Sequence, residues 1–313
     1  MKFVYLMDPL ENILFEKDTT FMLMLGAHHR GHEVYYLPKD GITFAEGKVY
    51  FHTIKVKPQS IAHEPFIEEH AANLSQDDVQ AVFIRPDPPF DQQYLMNTLL
   101  LDLLPKHIPV INNPSGVRTV NEKIWASQFN DLVPATIISS NAHDLKSFIS
   151  KHKDIIAKPV NAFGGQSVFR IQDKHTNTNV ILETLSDRYN NQIILQRYIP
   201  ESANGDKRIL LLNGDILGAV LRVHGEGDHR NNFYAGGKPF PTPINARDRQ
   251  IVERLKPHLQ ELGLYFVGID ILGDYLIEVN VTSPTCLQEI NRIENIQLED
   301  RIIQFVESLI KDQ

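Results

Sequence analysis

The chain of 313 residues contains one cysteine, Cys286. No disulfide can form within it, and a reducing compartment is the natural setting. Long apolar runs are also missing. The first run ends at Asp8, too early for a signal-peptide core. Nothing approaches the roughly 18 apolar residues of a membrane helix. A membrane partner is not expected, and the expected compartment is the cytoplasm. Basic excess is absent: 31 Lys and Arg stand against 39 Asp and Glu, a formal charge of −8. That balance argues against nucleic acid as a partner, because phosphate neutralisation needs a basic face. No Gly-x-Gly-x-x-Gly follows the first apolar run, so no dinucleotide site is expected there. There is no internal repeat and no low-complexity segment.

The composition, 42% hydrophobic and 22% charged, is that of a globular protein with a buried core. Residues 1–120 alternate strand and helix patterns. Strands are expected over 2–7, 33–37, 81–85 and 109–111, with helices over 19–30, capped by Asp18, and 92–104. This order predicts a small parallel sheet with helices on its faces. Residues 121–195 form a second unit. A helix is expected over 119–130, followed by strands over 154–158 and 168–171 around a glycine turn at Gly164 and Gly165. Residues 196–313 are strand-rich, with strands over 193–198, 208–212, 216–223, 265–272 and 275–281. Asn213-Gly214 reads as a hairpin turn. Helices are expected over 247–262 and 298–311, and a polar, glycine-rich loop over 224–238.

The most informative cluster is Asp270, Glu278 and Asn280. Glu278 and Asn280 share one face of a strand, and both carboxylates sit in apolar runs, where a charge is costly unless paired or metal-bound. Two carboxylates and an amide oxygen suit Mg²⁺. A two-residue loop at Gly273 and Asp274 would set Asp270 opposite Ile277. A three-residue loop over 273–275 sets it opposite Glu278, so an odd loop with a bulge is predicted.

Lys158 ends an apolar strand before Pro159, and Lys123 is expected at a helix start. Both are suited to phosphate oxygens, and the Gly164-Gly165 turn adds free backbone N–H groups. The strand end Gln196-Arg197-Tyr198-Ile199 can read an adenine edge, with Tyr198 and Ile199 as apolar walls. Arg208 and Arg222 lie in apolar strands, as candidates for bidentate contacts with phosphate or a substrate carboxylate. Arg230 lies in a loop hinged at Gly236 and Gly237 that can close over the site. His28, His29 and His32 lack ligands at metal spacing. Cys286 has no neighbouring base in sequence to make it a nucleophile.

Asn121-Glu122-Lys123, Lys158-Pro159, the glycine turn, Gln196–Ile199 and Asp270…Glu278-Val-Asn280 together resemble the ATP-grasp superfamily. Asp87-Pro-Pro-Phe-Asp91, Asp206-Lys-Arg208, Ala235-Gly-Gly237 and Asn280-Val-Thr-Ser-Pro-Thr-Cys286 resemble its bacterial glutathione synthetase branch, in the same order and over nearly the whole chain. Two departures are Asn161-Ala162-Phe163, where the family has Asp-Gly-x before the paired glycines, and Pro86 in place of a lysine.

The resemblance implies an α/β fold, α+β in part: an ATP-grasp fold behind an N-terminal parallel α/β domain. It implies ATP as co-substrate, held by Lys123, Lys158, Gly164, Gly165, Gln196, Arg197, Tyr198, Ile199, Asp206 and Arg208. Mg²⁺, with Mn²⁺ as an alternative, would sit on Asp270, Glu278 and Asn280. Arg208, Arg222 and Arg230 would be catalytic. Arg85, Arg230, Asn232, Gly236, Gly237, Ser283 and Thr285 would meet the substrates, γ-glutamylcysteine and glycine. The family's homo-tetramer is implied too. Competing expectations are a ligase of the same fold with another acceptor and a silent ATP-binding regulator.

Overall fold

A computed structural model describes residues 1–161, 164–172, 175–224 and 236–311 of the chain. It opens with β1 (Lys2–Leu6), α1 (Thr19–His29) and β2 (Glu33–Leu37). The Asp18 carboxylate caps α1 by accepting from Phe21 N at 2.7 Å. Next come β3 (Ile42–Ala45), β4 (Lys48–Pro58), β5 (Phe66–Ser75), β6 (Ala81–Ile84), α2 (Gln92–Leu101) and β7 (Val110–Ile111). They form a seven-stranded sheet in the order β3-β4-β2-β1-β6-β7, with β5 on β4. The pairs β1–β2, β1–β6 and β6–β7 are parallel, as expected.

The expected small parallel sheet is nonetheless too small. β3, β4 and β5 add an antiparallel extension beside it. β5 is exposed along most of its length and carries Glu68, Glu69 and His70, so no apolar run marks it.

The helix expected over 119–130 is not there. Asn113 accepts from Ser115 N and Gly116 N, and Pro114 starts α3 (Pro114–Thr119) early. The Asn121 side chain then accepts from Lys123 N and Ile124 N, both at 3.1 Å, which competes with helix continuation. Only a short 3-10 turn, Trp125–Gln128, remains.

The second sheet comprises β8 (Thr136–Ser139), β9 (Asp154–Pro159), β10 (Phe169–Gln172) and β11 (Ile193–Arg197), with helices α4 (Ala142–His152) and α5 (Thr178–Leu185). Its order is β10-β9-β11-β8, antiparallel throughout. Alternation decides its two faces. Ile155, Ala157, Ile193 and Leu195 pack on Leu145, Ile149 and Leu182 of the helices. Burying each larger aliphatic side chain contributes about 1.5–3 kcal/mol. The intervening Ile156, Lys158 and Gln196 face the opposite way and line a cavity.

The third sheet holds β12 (Asp206–Leu212), β13 (Asp215–Val223), β14 (Lys238–Phe240), β15 (Phe266–Leu272) and β16 (Tyr275–Asn280). Helices α6 (Ala246–Glu261), α7 (Leu287–Glu294) and α8 (Leu298–Lys311) accompany it. The order is β14-β13-β12-β15-β16. The Asn213-Gly214 turn has φ of 51° and 80°, as a primed hairpin turn requires. One apolar core joins this sheet to the first, with Val4, Leu6 and Val82 packed with Ile209, Val267 and Val279. Asn112 stitches the same seam: its Nδ2 donates to Phe266 O and Val281 O, and its Oδ1 accepts from Phe266 N. Of the expected lid loop, residues 225–235 lie outside the described residues.

Candidate active site

Cross-strand register assembles one wall of the cavity. Arg208 stands opposite Asp270, Asp206 opposite Arg222, and Asp270 opposite Glu278. Asp206 and Arg208 share a face because side chains alternate. The Arg208 Nε and Nη2 groups grip both Asp270 oxygens, the Nη2 bond at 2.9 Å. Arg222 grips Asp206 in the same way at 2.7 and 2.6 Å and also reaches Asp270 Oδ2 at 3.1 Å. Burial alone would raise the Asp270 carboxyl. The Arg208 and Arg222 guanidiniums outweigh it and hold the group well below the usual carboxylate range.

The Asp270–Glu278 pairing arises differently from expectation. The loop has two residues, Gly273 and Asp274, because Leu272 pairs with Tyr275 and Ile271 with Leu276. A bulge between the Ile271 and Asp270 pairings leaves Ile277 as the extra residue and brings Glu278 round to Asp270. The bulge was legible from chemistry, but its place was not.

The facing wall is the second sheet. Lys158 is 5% exposed, and among the described residues its ammonium has one long contact, to Gln196 Oε1 at 3.4 Å. Burial draws this ammonium below the usual lysine range, partly offset by Glu278. Gln196 is fixed in turn by Thr136 Oγ1 at 2.9 Å. Arg170 is held bidentate by Asp154 and lies over the Tyr198 ring at 3.6 Å.

Two further residues build the rim. Arg85 donates to Thr20 Oγ1 at 3.0 Å and to Pro284 O at 2.9 Å, tying the start of α1 to residues 283–285. Glu122 Oε1 accepts from Val281 N, Thr282 N and Thr282 Oγ1 at 2.8 to 3.1 Å. That bond set carries Lys123 to within 3.7 Å of Glu278. Burial raises the Glu122 carboxyl, opposed by the Thr282 bonds. Glu122 is a positioning residue that sequence reasoning missed. Its only signal was its place in Asn121-Glu122-Lys123.

The enclosed space measures about 350 Å³, within the range of small-molecule sites. Its lining contains Arg85, Lys123, Lys158, Gly164, Gly165, Gln196, Arg197, Tyr198, Ile199, Asp206, Arg208 and Arg222. Asp270, Glu278, Asn280, Ser283 and Thr285, also expected from sequence, lie in the same lining. Gly236 and Gly237 are not in the lining. Arg230 and Asn232 lie outside the described residues. The lining also holds Thr19 and Glu289, which the sequence did not single out.

A divalent cation fits this wall. No cluster of three His, Cys, Asp or Glu side chains with metal-ligating geometry occurs among the described residues. Asp270, Glu278 and Asn280 offer two carboxylates and one amide on a single face. Asn280 Nδ2 donates to Gly268 O at 3.2 Å, which leaves its Oδ1 for a ligand. Such a partial set of hard oxygen donors suits a cation that keeps waters and shares phosphate oxygens.

The family model for the prokaryotic glutathione synthetase N-terminal domain matches residues 1–118, and that for its ATP-grasp domain matches 122–295. The glutathione synthetase of Vibrio parahaemolyticus is 35% identical over 317 residues, covering 100% of both chains. That of Pseudomonas aeruginosa is 37% identical over 302 residues, covering 96% of this chain and 95% of the relative. Among solved structures, D-cycloserine synthetase superposes with a TM-score of 0.68 at 12% identity, covering 98% of this chain and 99% of that one. This likeness shows the ATP-grasp fold alone.

Proposed function

This chain belongs to the prokaryotic glutathione synthetase family, and we propose on that footing that it joins γ-glutamylcysteine to glycine at the expense of ATP. It is an ATP-dependent ligase of a family that works with a divalent metal. Mg²⁺ is the ion proposed here, with Mn²⁺ as a substitute, held by Asp270, Glu278 and Asn280. The observation that carries the reading is the facing of two walls: a carboxylate and amide set on the third sheet, and the buried cation Lys158 on the second.

The residues take roles by position. Lys123 and Lys158 neutralise phosphate oxygens, and backbone N–H groups at Gly164 and Gly165 add donors. Gln196, Arg197, Tyr198 and Ile199 border the base, with Asp206 beside the nucleotide. Arg208 and Arg222 stabilise charge on the transferring phosphoryl group, and Arg230 closes from the loop. The bound ion supplies Lewis-acid polarisation of the phosphoryl oxygens. The cysteinyl carboxylate attacks the γ-phosphorus in line, forms a C–O–P linkage and expels ADP. The glycine amine then attacks the carbonyl carbon, loses a proton and expels phosphate. Water would hydrolyse the acyl phosphate, so closure of the cavity protects it. Arg85, Asn232, Gly236, Gly237, Ser283 and Thr285 serve the two amino-acid substrates. A cytoplasmic homo-tetramer with three linked units, 1–120, 121–195 and 196–313, completes the proposal.

The test is phosphate release from Mg-ATP with γ-glutamylcysteine, with glycine, and with both. Release that needs both, with formation of a tripeptide, is expected. No release with both substrates would refute the named substrates.

A further inference from the structure

A second cavity lies where the chain crosses from the third sheet to the second. Leu132 O accepts from Leu276 N and Asp131 O from Arg247 Nη2, each at 2.8 Å, which ties this point of the chain to β16 and α6. Three residues after Leu132, Ala135 O accepts from Arg197 N at 2.8 Å, which ties the chain to β11 as β8 begins. Val133 and Pro134 thus connect the two walls that face each other across the active cavity. The second cavity is built against this connection, between residues 133–137 and the last turns of α4. It measures about 500 Å³, and no residue lines both cavities. Small-molecule sites favour such places between structural units.

Its lining has a consistent chemistry. Val133, Pro134, Ile137 and Phe148 supply apolar surface. The His152 ring stands against Phe148, with centroids 4.3 Å apart. Burial first, then Lys151 and Arg197, holds that ring below the usual histidine range. At neutral pH it is therefore an uncharged part of the same apolar floor. Lys151 supplies positive charge at the edge, and no Asp or Glu occurs among the described lining residues, in a chain of formal charge −8. An apolar floor beside a cation fits a flat organic anion.

The second cavity is linked to the first through hydrogen bonds. Thr136 lines it, and Thr136 Oγ1 accepts from Gln196 Nε2 at 2.9 Å. Gln196 Oε1 in turn accepts from Lys158 Nζ at 3.4 Å, inside the active cavity. A ligand that fixes residues 133–136 therefore acts on the angle between the walls and on the amide beside Lys158.

We propose that this hinge cavity is an effector site for a small flat organic anion, seated on Phe148 and His152 with its charge on Lys151, and that its occupancy alters nucleotide affinity in the active cavity. A ligand that touches both the connection and α4 meets them differently at each opening of the walls, and that difference is what coupling requires. By linkage, nucleotide changes the effector's affinity by the same factor.

The probe is 8-anilinonaphthalene-1-sulfonate, a flat aromatic anion that fluoresces when bound. It is titrated into the full chain with Mg-ADP present to occupy the first cavity, and saturable binding is expected. Lys151→Glu should weaken that binding about tenfold or more, because it sets like charges together. Ala135→Trp fills the cavity from an exposed position and should abolish it. Calorimetry then gives the Kd for Mg-ADP with and without the probe. A shift of about fivefold or more is expected, and Ala135→Trp should lack it. Lys151→Glu without probe should bind Mg-ADP as the unaltered chain does. Nucleotide binding rather than tripeptide formation is measured, so failure of the named substrates leaves this test standing. No saturable binding, or binding that both variants leave within about twofold, overturns the site. Binding that the variants abolish but that moves the Kd for Mg-ADP less than about twofold overturns the effector role.

Discussion

The third sheet and the second present charge to the same cavity in opposite ways. On the third, Asp206, Arg208, Arg222 and Asp270 are all buried or nearly so, and each meets a countercharge at bidentate geometry. On the second, Lys158 is as deeply buried and has only an amide oxygen at 3.4 Å among the described residues. One wall is neutralised before anything binds, and its cost of burial is offset within the protein. The other wall is left with net positive charge that a polyanion would satisfy. The paired wall holds geometry, and the buried cation of the other is suited to an anion.

Breaking the paired wall should have the largest effect. Asp270→Asn leaves two buried guanidiniums without their shared carboxylate, and should cost about 3–5 kcal/mol of stability as well as activity. Thermal unfolding with and without nucleotide measures this, and an unchanged Tm would show that the network is not structural. Glu278 sharpens the contrast, since it stands on the same sheet outside the guanidinium network. Glu278→Ala should lower turnover about 10²–10³-fold while leaving the circular dichroism spectrum intact and stability within about 1 kcal/mol. Full turnover in that variant would remove Glu278 from the metal set.

Lys158→Met tests the other wall. Stability should stay level or rise, because an unpaired buried charge is removed, while ATP affinity falls about 10–100-fold. A loss of stability comparable to that of Asp270→Asn would erase the distinction between the walls. The smallest effect belongs to a site remote from both. Glu307 of α8 accepts from Arg30 at 2.9 and 2.8 Å and meets His32 at 2.7 Å. Arg30 first, against burial and with help from His32, pushes its carboxyl down from 4.5 to about 2. A depressed carboxyl contributes stability above its unfolded value, which is lost as pH falls from about 4.5 to about 2. Acid titration of Glu307→Gln should lack that part of the transition and leave catalysis at neutral pH unaltered.

Much of the site was legible because it sits on strands. Alternation alone placed Glu278 with Asn280, and the cost of burying a carboxylate pointed to a partner for Asp270. Lys158 before Pro159 was legible for the same reason. The segment over 119–130 misled, because its apolar spacing is helical while Pro114 and the Asn121 side chain redirect the backbone. The antiparallel extension β3–β5 was invisible because its edge strand is largely exposed and carries no apolar pattern. Thr19 and Glu289 drew no notice, since each lies in a helix start where such residues are common.

The sequence by itself determined the alternating faces, the turn at Asn213-Gly214, the buried charges and the family to which the motifs point. Each follows from neighbours within a few residues, where period, φ and burial cost act locally. Only the tertiary structure decided which charges neutralise one another. Arg208 and Asp270 are 62 positions apart, and a bulge rather than a longer loop brings Glu278 to them. It alone turned Glu122 into the support of Lys123 across 159 and 160 positions of chain. Strand register and packing between sheets are collective outcomes of the whole core, and no short stretch of residues encodes them.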